Sequence, residues 1–205
     1  LAGLILGYPI AFLLASLPIR TANLLLILVL LPFWTSLLVR TTAWIAMLQG
    51  QGVLNDLSVV FGLATEEDRF SLIYNKTGTL ISMTHILLPF MILPLYAAIE
   101  RIDGRLIEAS RDLYGSGWQS FRHVLLPLSM PGVIAGSILV FVPSLGAYVT
   151  PEILGGAKTT FLGSYIVTQF LTARNWPFGA ALSFVLMAVM LVTTIIYFRK
   201  GGRTL

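Results

Sequence analysis

The stretch TGTLISMTHILLPFMILPLYAAI, residues 77–99, runs for 23 positions without a charged side chain. At about 1.5 Å per residue, a helix of that length reaches about 34 Å, enough to cross a hydrocarbon core about 30 Å thick. Four further uncharged runs, at 1–19, 21–39, 124–151 and 175–198, approach or exceed the same length. The composition agrees with them. Of the 205 residues 57% are hydrophobic and 11% are charged, where a soluble domain carries about a quarter charged. Mean hydropathy is +0.88. The chain therefore reads as an all-α, polytopic helical membrane protein with five spans, at about 1–17, 24–44, 79–99, 131–153 and 178–198.

Chemistry is bounded as tightly. With no cysteine there is no disulfide framework, no thiolate metal site and no cysteine nucleophile, and two histidines leave little for imidazole catalysis. No Asp/Glu pair, Ser/His pair or His cluster stands at a productive spacing. No catalytic residue, cofactor or metal is expected, so the chain must work by moving or binding something. The net charge of +4 rests on only 13 Lys and Arg, and it reads as membrane topology rather than as a surface for nucleic acid.

Five spans leave the termini on opposite sides. One side collects Arg20, Arg101, Arg105, Arg111, Arg122, Arg199, Lys200 and Arg203; the other collects Arg69, Lys76, Lys158 and Arg174. The richer side is expected to be cytoplasmic, with the C-terminus. Residue 1 is Leu, inside an apolar run with no basic segment before it. That is expected of a chain truncated upstream rather than of a signal peptide.

Punctuation within the spans is mostly proline and glycine. Pro32, Pro89 and Pro94 predict bent helices around an interior cavity, because each ring removes a backbone donor and crowds the carbonyl four residues earlier. Gly3/Gly7 and Gly132/Gly136 have the spacing that permits close helix approach. Trp44 and Trp176 fall where interfacial anchors are expected. The outer segment 49–76 carries Asp56, Glu66, Glu67 and Asp68 and a half-apolar stretch, 53–63, that reads as an interfacial segment or a plain connector. Gly155-Gly156-Ala157-Lys158-Thr159 lacks the glycine spacing of a nucleotide-binding loop. His85 reads as a packed or cavity-lining side chain.

The most informative segment joins the third and fourth spans: IERIDGRLIEASRDLYGSGWQSFRHVLLPLSMPG, residues 99–132. Ile102, Leu106, Ala109 and Leu113 recur at helical spacing, with Arg105, Glu108, Arg111 and Asp112 on other faces, which predicts a short amphipathic helix. Tyr114 to Gly117 ends it. A second short helix is expected at about 118–126, closed by Pro127, with Ser129 and Pro131 starting the next span. Such a pair on the inner face suits a partner's groove or the lipid surface.

Glu108-Ala109-Ser110, followed by Val124, Leu126 and Pro127, resembles the EAA motif of membrane subunits in binding-protein-dependent ABC importers: Glu-Ala-Ala, three residues, Gly, nine residues, Ile-x-Leu-Pro. Ser110 stands for the second Ala, and Tyr114 occupies the usual Gly position with Gly115 after it. Further stretches at 7–15, 30–40, 86–96, 143–157 and 175–183 are most similar to the spermidine/putrescine permease group. The resemblance covers nearly the whole chain and implies one transmembrane domain over 1–205, with a cytoplasmic coupling loop at 100–130. Family members usually have six spans. The resemblance makes Glu108, Ala109, Ser110, Arg111, Asp112, Gly115 and Pro127 the coupling positions. It also implies a cytoplasmic ATP-binding subunit, a second permease subunit, homologous or identical, an extracytoplasmic solute-binding protein, and a multi-pass place in the lipid of the bacterial plasma (inner) membrane.

A polyvalent cation on its way through needs carboxylates and aromatic faces. Glu152, Tyr148 and Trp34 are the candidates for the substrate pathway. Arg40 is expected either to snorkel to the interface or to neutralise Glu152. The alternatives to a polyamine permease are an ABC permease for another solute, such as an opine, iron or another cation, and a secondary transporter or channel driven by an ion gradient.

Overall fold

The computed structural model describes residues 1–65, 69–114, 116–156 and 160–201, and of residues 111, 114 and 196–201 the backbone alone. Every regular element among the described residues is helical. Lipid imposes this, because a helix pairs its backbone donors and acceptors within its own segment. In chain order the helices are α1 (Ala2–Ser16), α2 (Ile19–Leu30), α3 (Leu37–Leu48), α4 (Val53–Val60), α5 (Lys76–Glu100) and α6 (Gly104–Tyr114). Then follow α7 (Gly117–Ser120), α8 (Leu126–Leu145), α9 (Val149–Gly155), α10 (Leu162–Leu171) and α11 (Trp176–Gly201). A 3-10 turn, Leu31–Trp34, follows α2, and a π-helical turn, Phe121–Leu125, carries α7 into α8.

The spans differ from the expectation in instructive ways. Three helical stretches are long and apolar enough to cross a membrane: Lys76–Glu100, Gly117–Leu145 and Trp176–Ile195. A fourth results if the bent pair Ile19–Trp34 and Leu37–Val60 is one span. The expected continuous span at 24–44 is thus broken. Pro32 falls in the 3-10 turn, the Thr35 amide and hydroxyl both donate to its carbonyl, and Ser36 is extended at ψ 143° before α3 begins. The expected first span is a 15-residue apolar helix that stops at Leu17. Leu17 is extended, as a residue before proline prefers, and the Pro18 carbonyl accepts the first amides of α2.

The fourth span is shifted toward the N-terminus. It ends at Leu145 rather than 153, and α9 is a separate short helix. Pro127 and Pro131 do not divide a short helix from a new one, because the helix is continuous from Gly117 to Leu145. The wider π turn just before Pro127 gives its ring room where a regular turn would press a carbonyl against it. Pro89 and Pro94 likewise lie inside an unbroken α5.

Two compact units share the chain: residues 1–30, 87–142 and 190 onward in the first, and residues 31–86 and 143–189 in the second. The core of the first joins Tyr8, Ala11 and Leu14 of α1 to Met91, Ile92, Leu95, Tyr96 and Ile99 of α5, with Leu125. Lipid tails are as apolar as these side chains, so shape and close approach hold such helices together more than the hydrophobic effect does. Gly132 and Gly136 supply that approach. A Cβ on Gly132 would stand 2.5 Å from Ala98 Cβ and 2.7 Å from the Pro94 carbonyl oxygen; one on Gly136 would stand 2.7 Å from Met91 Sδ. Gly7 meets Met91 similarly at 3.0 Å, whereas Gly3 faces open space.

In the second unit Trp44, Leu48, Ile86 and Leu154 form the core. Trp44 is 8% exposed and meets the His85 ring edge-on at 5.3 Å, so it is a packing residue here rather than the interfacial anchor expected. The Thr41 and Thr150 hydroxyls lie 3.4 Å apart beside it. The connector between α3 and α5 is pinned by Asn55, which is fully buried: its Nδ2 donates to the Gln49 and Phe70 carbonyls, and its Oδ1 accepts from the Phe70 amide. Arg69 adds an ion pair to Asp56 at 2.7 Å and a bond to the Gly50 carbonyl. The half-apolar stretch 53–63 is helical over Val53–Val60, as α4, and turns after it.

Gly136→Leu is expected to lower the apparent melting temperature of the detergent-purified protein, because the added side chain must push α8 off Met91 at a cost of about 1–3 kcal/mol or more. Gly3→Ala should leave it within error. A thermal unfolding series on the two variants checks the contrast.

Candidate functional site

The connector between α5 and α8 is built from short local signals. Asp103 starts α6: its carboxylate accepts from the Arg105 amide at 2.9 Å and its carbonyl from Leu106. Ser116 caps α7, accepting from the Gln119 amide at 3.3 Å and donating to the Gln119 side-chain oxygen at 3.0 Å. The Ser116 oxygen thus satisfies one of the orphan amides at the start of α7, and the bond between the two side chains holds that cap in place.

The amphipathic helix expected around 102–113 is α6, but its faces divide differently. Ile107 and Ile102 pack against the core of the first unit. Ser110, 3% exposed, sits with them and donates to the Ile107 carbonyl at 2.7 Å. That bond within its own helix lets a serine hydroxyl occupy a buried position without a missing partner. Leu106 and Leu113 are exposed, Leu113 at 81%, and so is Ala109. The expected single stripe is therefore two: an inward one that anchors the helix and an outward ridge, Leu106–Ala109–Leu113, flanked by exposed Arg105, Glu108 and Asp112. Pro127 is exposed, within the α7–α8 helical stretch. The Arg111 side chain and Gly115 lie outside the described residues.

Beyond the turn, Trp118 is exposed and stacks on Phe121. Phe121 meets Tyr8 of α1 edge-on. Ser129, expected at a helix start, is wholly buried in mid-helix and bonded to Tyr8. Ser120 is buried and its hydroxyl has no hydrogen-bond partner. No signal in the sequence paired Tyr8 with Ser129, since a contact across 121 residues has no local signature.

The candidate pathway residues belong to the second unit. Trp34 ends the 3-10 turn and is 89% exposed. Tyr148 is the half-buried residue before α9, and Glu152 is exposed in the first turn of that helix, its amide bonded to the Tyr148 carbonyl at 2.9 Å. Among the described residues no hydrogen bond or ring contact joins the Trp34, Tyr148 and Glu152 side chains to one another. Arg40 does not neutralise Glu152. Its guanidinium lies 5.4 Å from the Phe33 ring centroid and donates to the Thr35 carbonyl, while its buried Nε has no partner. Gly156, φ +57°, ends α9 with its Cα against Tyr74. A positive φ suits glycine, which accounts for Gly156 of the Gly155-Gly156 pair.

Comparison with known proteins agrees with this architecture. A family model described as "binding-protein-dependent transport system inner membrane component" matches residues 3–199. The spermidine/putrescine transport system permease protein PotB of Haemophilus influenzae is 42% identical over 198 residues, spanning 97% of this chain and 68% of that protein. PotB of Escherichia coli K12 is 42% identical over 201 residues, spanning 98% of this chain and 72% of that protein. A chain in the crystal structure of a bacterial alginate ABC transporter, in complex with alginate pentasaccharide-bound periplasmic protein, superposes with a TM-score of 0.72. At 19% identity it covers 98% of this chain and 73% of its own length, and it shares the fold.

The absence of native cysteine permits a direct check of the two faces of the loop. Leu113→Cys and Trp118→Cys in the isolated protein should react readily with a hydrophilic maleimide. Ser110→Cys and Ser120→Cys should react at least about tenfold more slowly, because labelling them requires local opening.

Proposed function

The chain belongs to the family of binding-protein-dependent transport system inner membrane components, and we propose that it is the permease subunit of an ATP-driven importer of polyamines. It contributes membrane-spanning helices and no catalysis of its own; a separate cytoplasmic subunit hydrolyses ATP. A second permease subunit, homologous or identical, completes the pathway, and a solute-binding protein delivers substrate from outside. Residues 1–205 act as one transmembrane domain in the plasma membrane, with the α6–α8 connector and the C-terminus on the cytoplasmic face.

One observation carries the reading: α6 is anchored by Ile107 and Ser110 while its leucine ridge faces outward. A helix resting on its own protein would bury those leucines. An outward apolar ridge rimmed by Glu108, Asp112 and Arg105 fits a groove on a protein partner, with apolar anchors at the centre and charges at the edge. Glu108, Ala109 and Asp112 face that joint and Ser110 backs it from the inward side; with Arg111, Gly115 and Pro127 they are the coupling positions, and a rigid-body motion of the ATPase passes through α6 into the spans. An ion-gradient carrier is the poorer reading, because the three spanning helices carry no Asp or Glu except Glu100 at one end.

Polyamine as substrate rests on the 42% identity to PotB and on the chemistry available at Glu152, Tyr148 and Trp34. The chain is interrupted at Leu31–Ser36 and again between Leu145 and Val149. Interrupted helices are where transporters expose backbone and side chains to a substrate. One carboxylate 4 Å from an ammonium group attracts it by about 4 kcal/mol at an effective dielectric near 20, before desolvation is subtracted.

Glu108→Lys is expected to reduce ATP-driven spermidine uptake into vesicles by about a hundredfold while membrane insertion persists, since reversing a charge at a packed joint costs a few kcal/mol. Unchanged uptake would remove the residue from the mechanism. Glu152→Gln, nearly isosteric, should slow spermidine uptake by about tenfold through loss of the ammonium partner, allowing for desolvation, and leave assembly with the ATPase intact. Normal transport by Glu152→Gln would place recognition on another subunit.

A further inference from the structure

Trp118, Phe121, Tyr8 and Ser129 form an unbroken side-chain path from the exposed loop into the buried face of α1. Trp118 stacks on Phe121 with centroids 5.4 Å apart and planes 24° apart. Phe121 meets Tyr8 at 5.4 Å and 86°. Tyr8 Oη lies 2.7 Å from Ser129 Oγ. The bond has a direction, because Ser129 gives its one hydroxyl proton to the Leu126 carbonyl at 3.1 Å. Tyr8 is therefore the donor and Ser129 the acceptor.

Stability alone is a weak reason for such a pair. A buried hydrogen-bonded pair can be replaced by apolar groups of the same shape at little or no loss, so what it adds is a defined register between two helices. Here the register joins α1 to α8, immediately beyond the π turn Phe121–Leu125. A π turn is an expanded step in a helix and occurs frequently at functional sites. The loop end of the path is open to a partner and the α1 end is locked.

We propose that Tyr8 is a positioning residue for transport: through Phe121 and its bond to Ser129, it passes a displacement of Trp118 by the seated ATPase on to α1. The inference rests on the reading of the connector as the coupling element. Phe121 transmits the push by ring contact, and the Tyr8–Ser129 bond holds α1 in step with α8. Loss of the bond lets α8 move without α1, so ATP is hydrolysed with less solute moved.

The test uses the complete transporter, with its ATPase, second permease subunit and binding protein, reconstituted in vesicles, and reads spermidine taken up per ATP hydrolysed. Tyr8→Phe keeps the ring against Phe121 and removes only the hydroxyl; Ser129→Ala removes the acceptor. Each is expected to lower the ratio by about fivefold, the worth of one net hydrogen bond, and the double variant should fall no further. A ratio unchanged in both single variants, even with less complex assembled, would reduce the pair to packing and overturn the proposal. So would a double variant that falls as the product of the singles. A wild-type complex without ATP-driven uptake would sink the importer reading and this inference with it, whereas a coupled wild type with unaffected variants sinks this inference alone.

Discussion

Gly132 and Gly136 lie against the 91–98 face of α5 so closely that a Cβ on either would fall within 2.7 Å of Ala98, Pro94 or Met91. In a lipid solvent no difference in polarity drives two apolar helices together, so contact of this kind supplies the association. The rest of the first unit is arranged around it. With α8 against α5, Met91 and Ile92 also meet α1 at Gly7, and Tyr8 comes within reach of Ser129. The same placement brings Leu125 and Phe121 into the core region, which orients the turn before them and hence the exposed loop. A small-residue contact inside the membrane is thus connected, side chain by side chain, to the surface available to a partner.

The second unit relies on polar pinning at its irregular points. Asn55 offers its amide to the Phe70 backbone as a neighbouring strand would, and takes the Gln49 carbonyl as well. A non-helical segment near a membrane must satisfy its backbone in some such way. Its core is correspondingly mixed, with the Thr41 and Thr150 hydroxyls next to Trp44 and Leu154. Arg40 in the same unit is held by the Phe33 ring and the Thr35 carbonyl.

Prolines show where local reading succeeds and where it stops. Pro18 and Pro32 interrupt the chain, whereas Pro89, Pro94 and Pro127 lie within continuous helix. The ring chemistry is the same at all five. What differs is whether the neighbouring turns can widen or other groups can satisfy the freed carbonyl, and those groups are distant in sequence. The amphipathic helix at α6 was legible because its periodicity is local. Its division into an inward Ile107–Ser110 side and an outward Leu106–Ala109–Leu113 ridge was not, since both sides are partly apolar and only the packed core shows which one is already occupied.

From the residues alone came the membrane class, the absence of thiolate chemistry, the existence of the connector helix and the motif spacing from Glu108 to Pro127. All of these depend on composition or on intervals of a few residues, which the covalent chain carries with it. Tertiary structure decided that Trp44 is core, that the helical stretch ending in α8 starts as far back as Gly117 and stops at Leu145, that Gly132 and Gly136 are contact glycines while Gly3 is not, and that Tyr8 bonds to Ser129. Each of these turns on which surfaces meet across tens of residues, and helix packing in lipid selects among such pairings by shape, a property that no single segment possesses by itself.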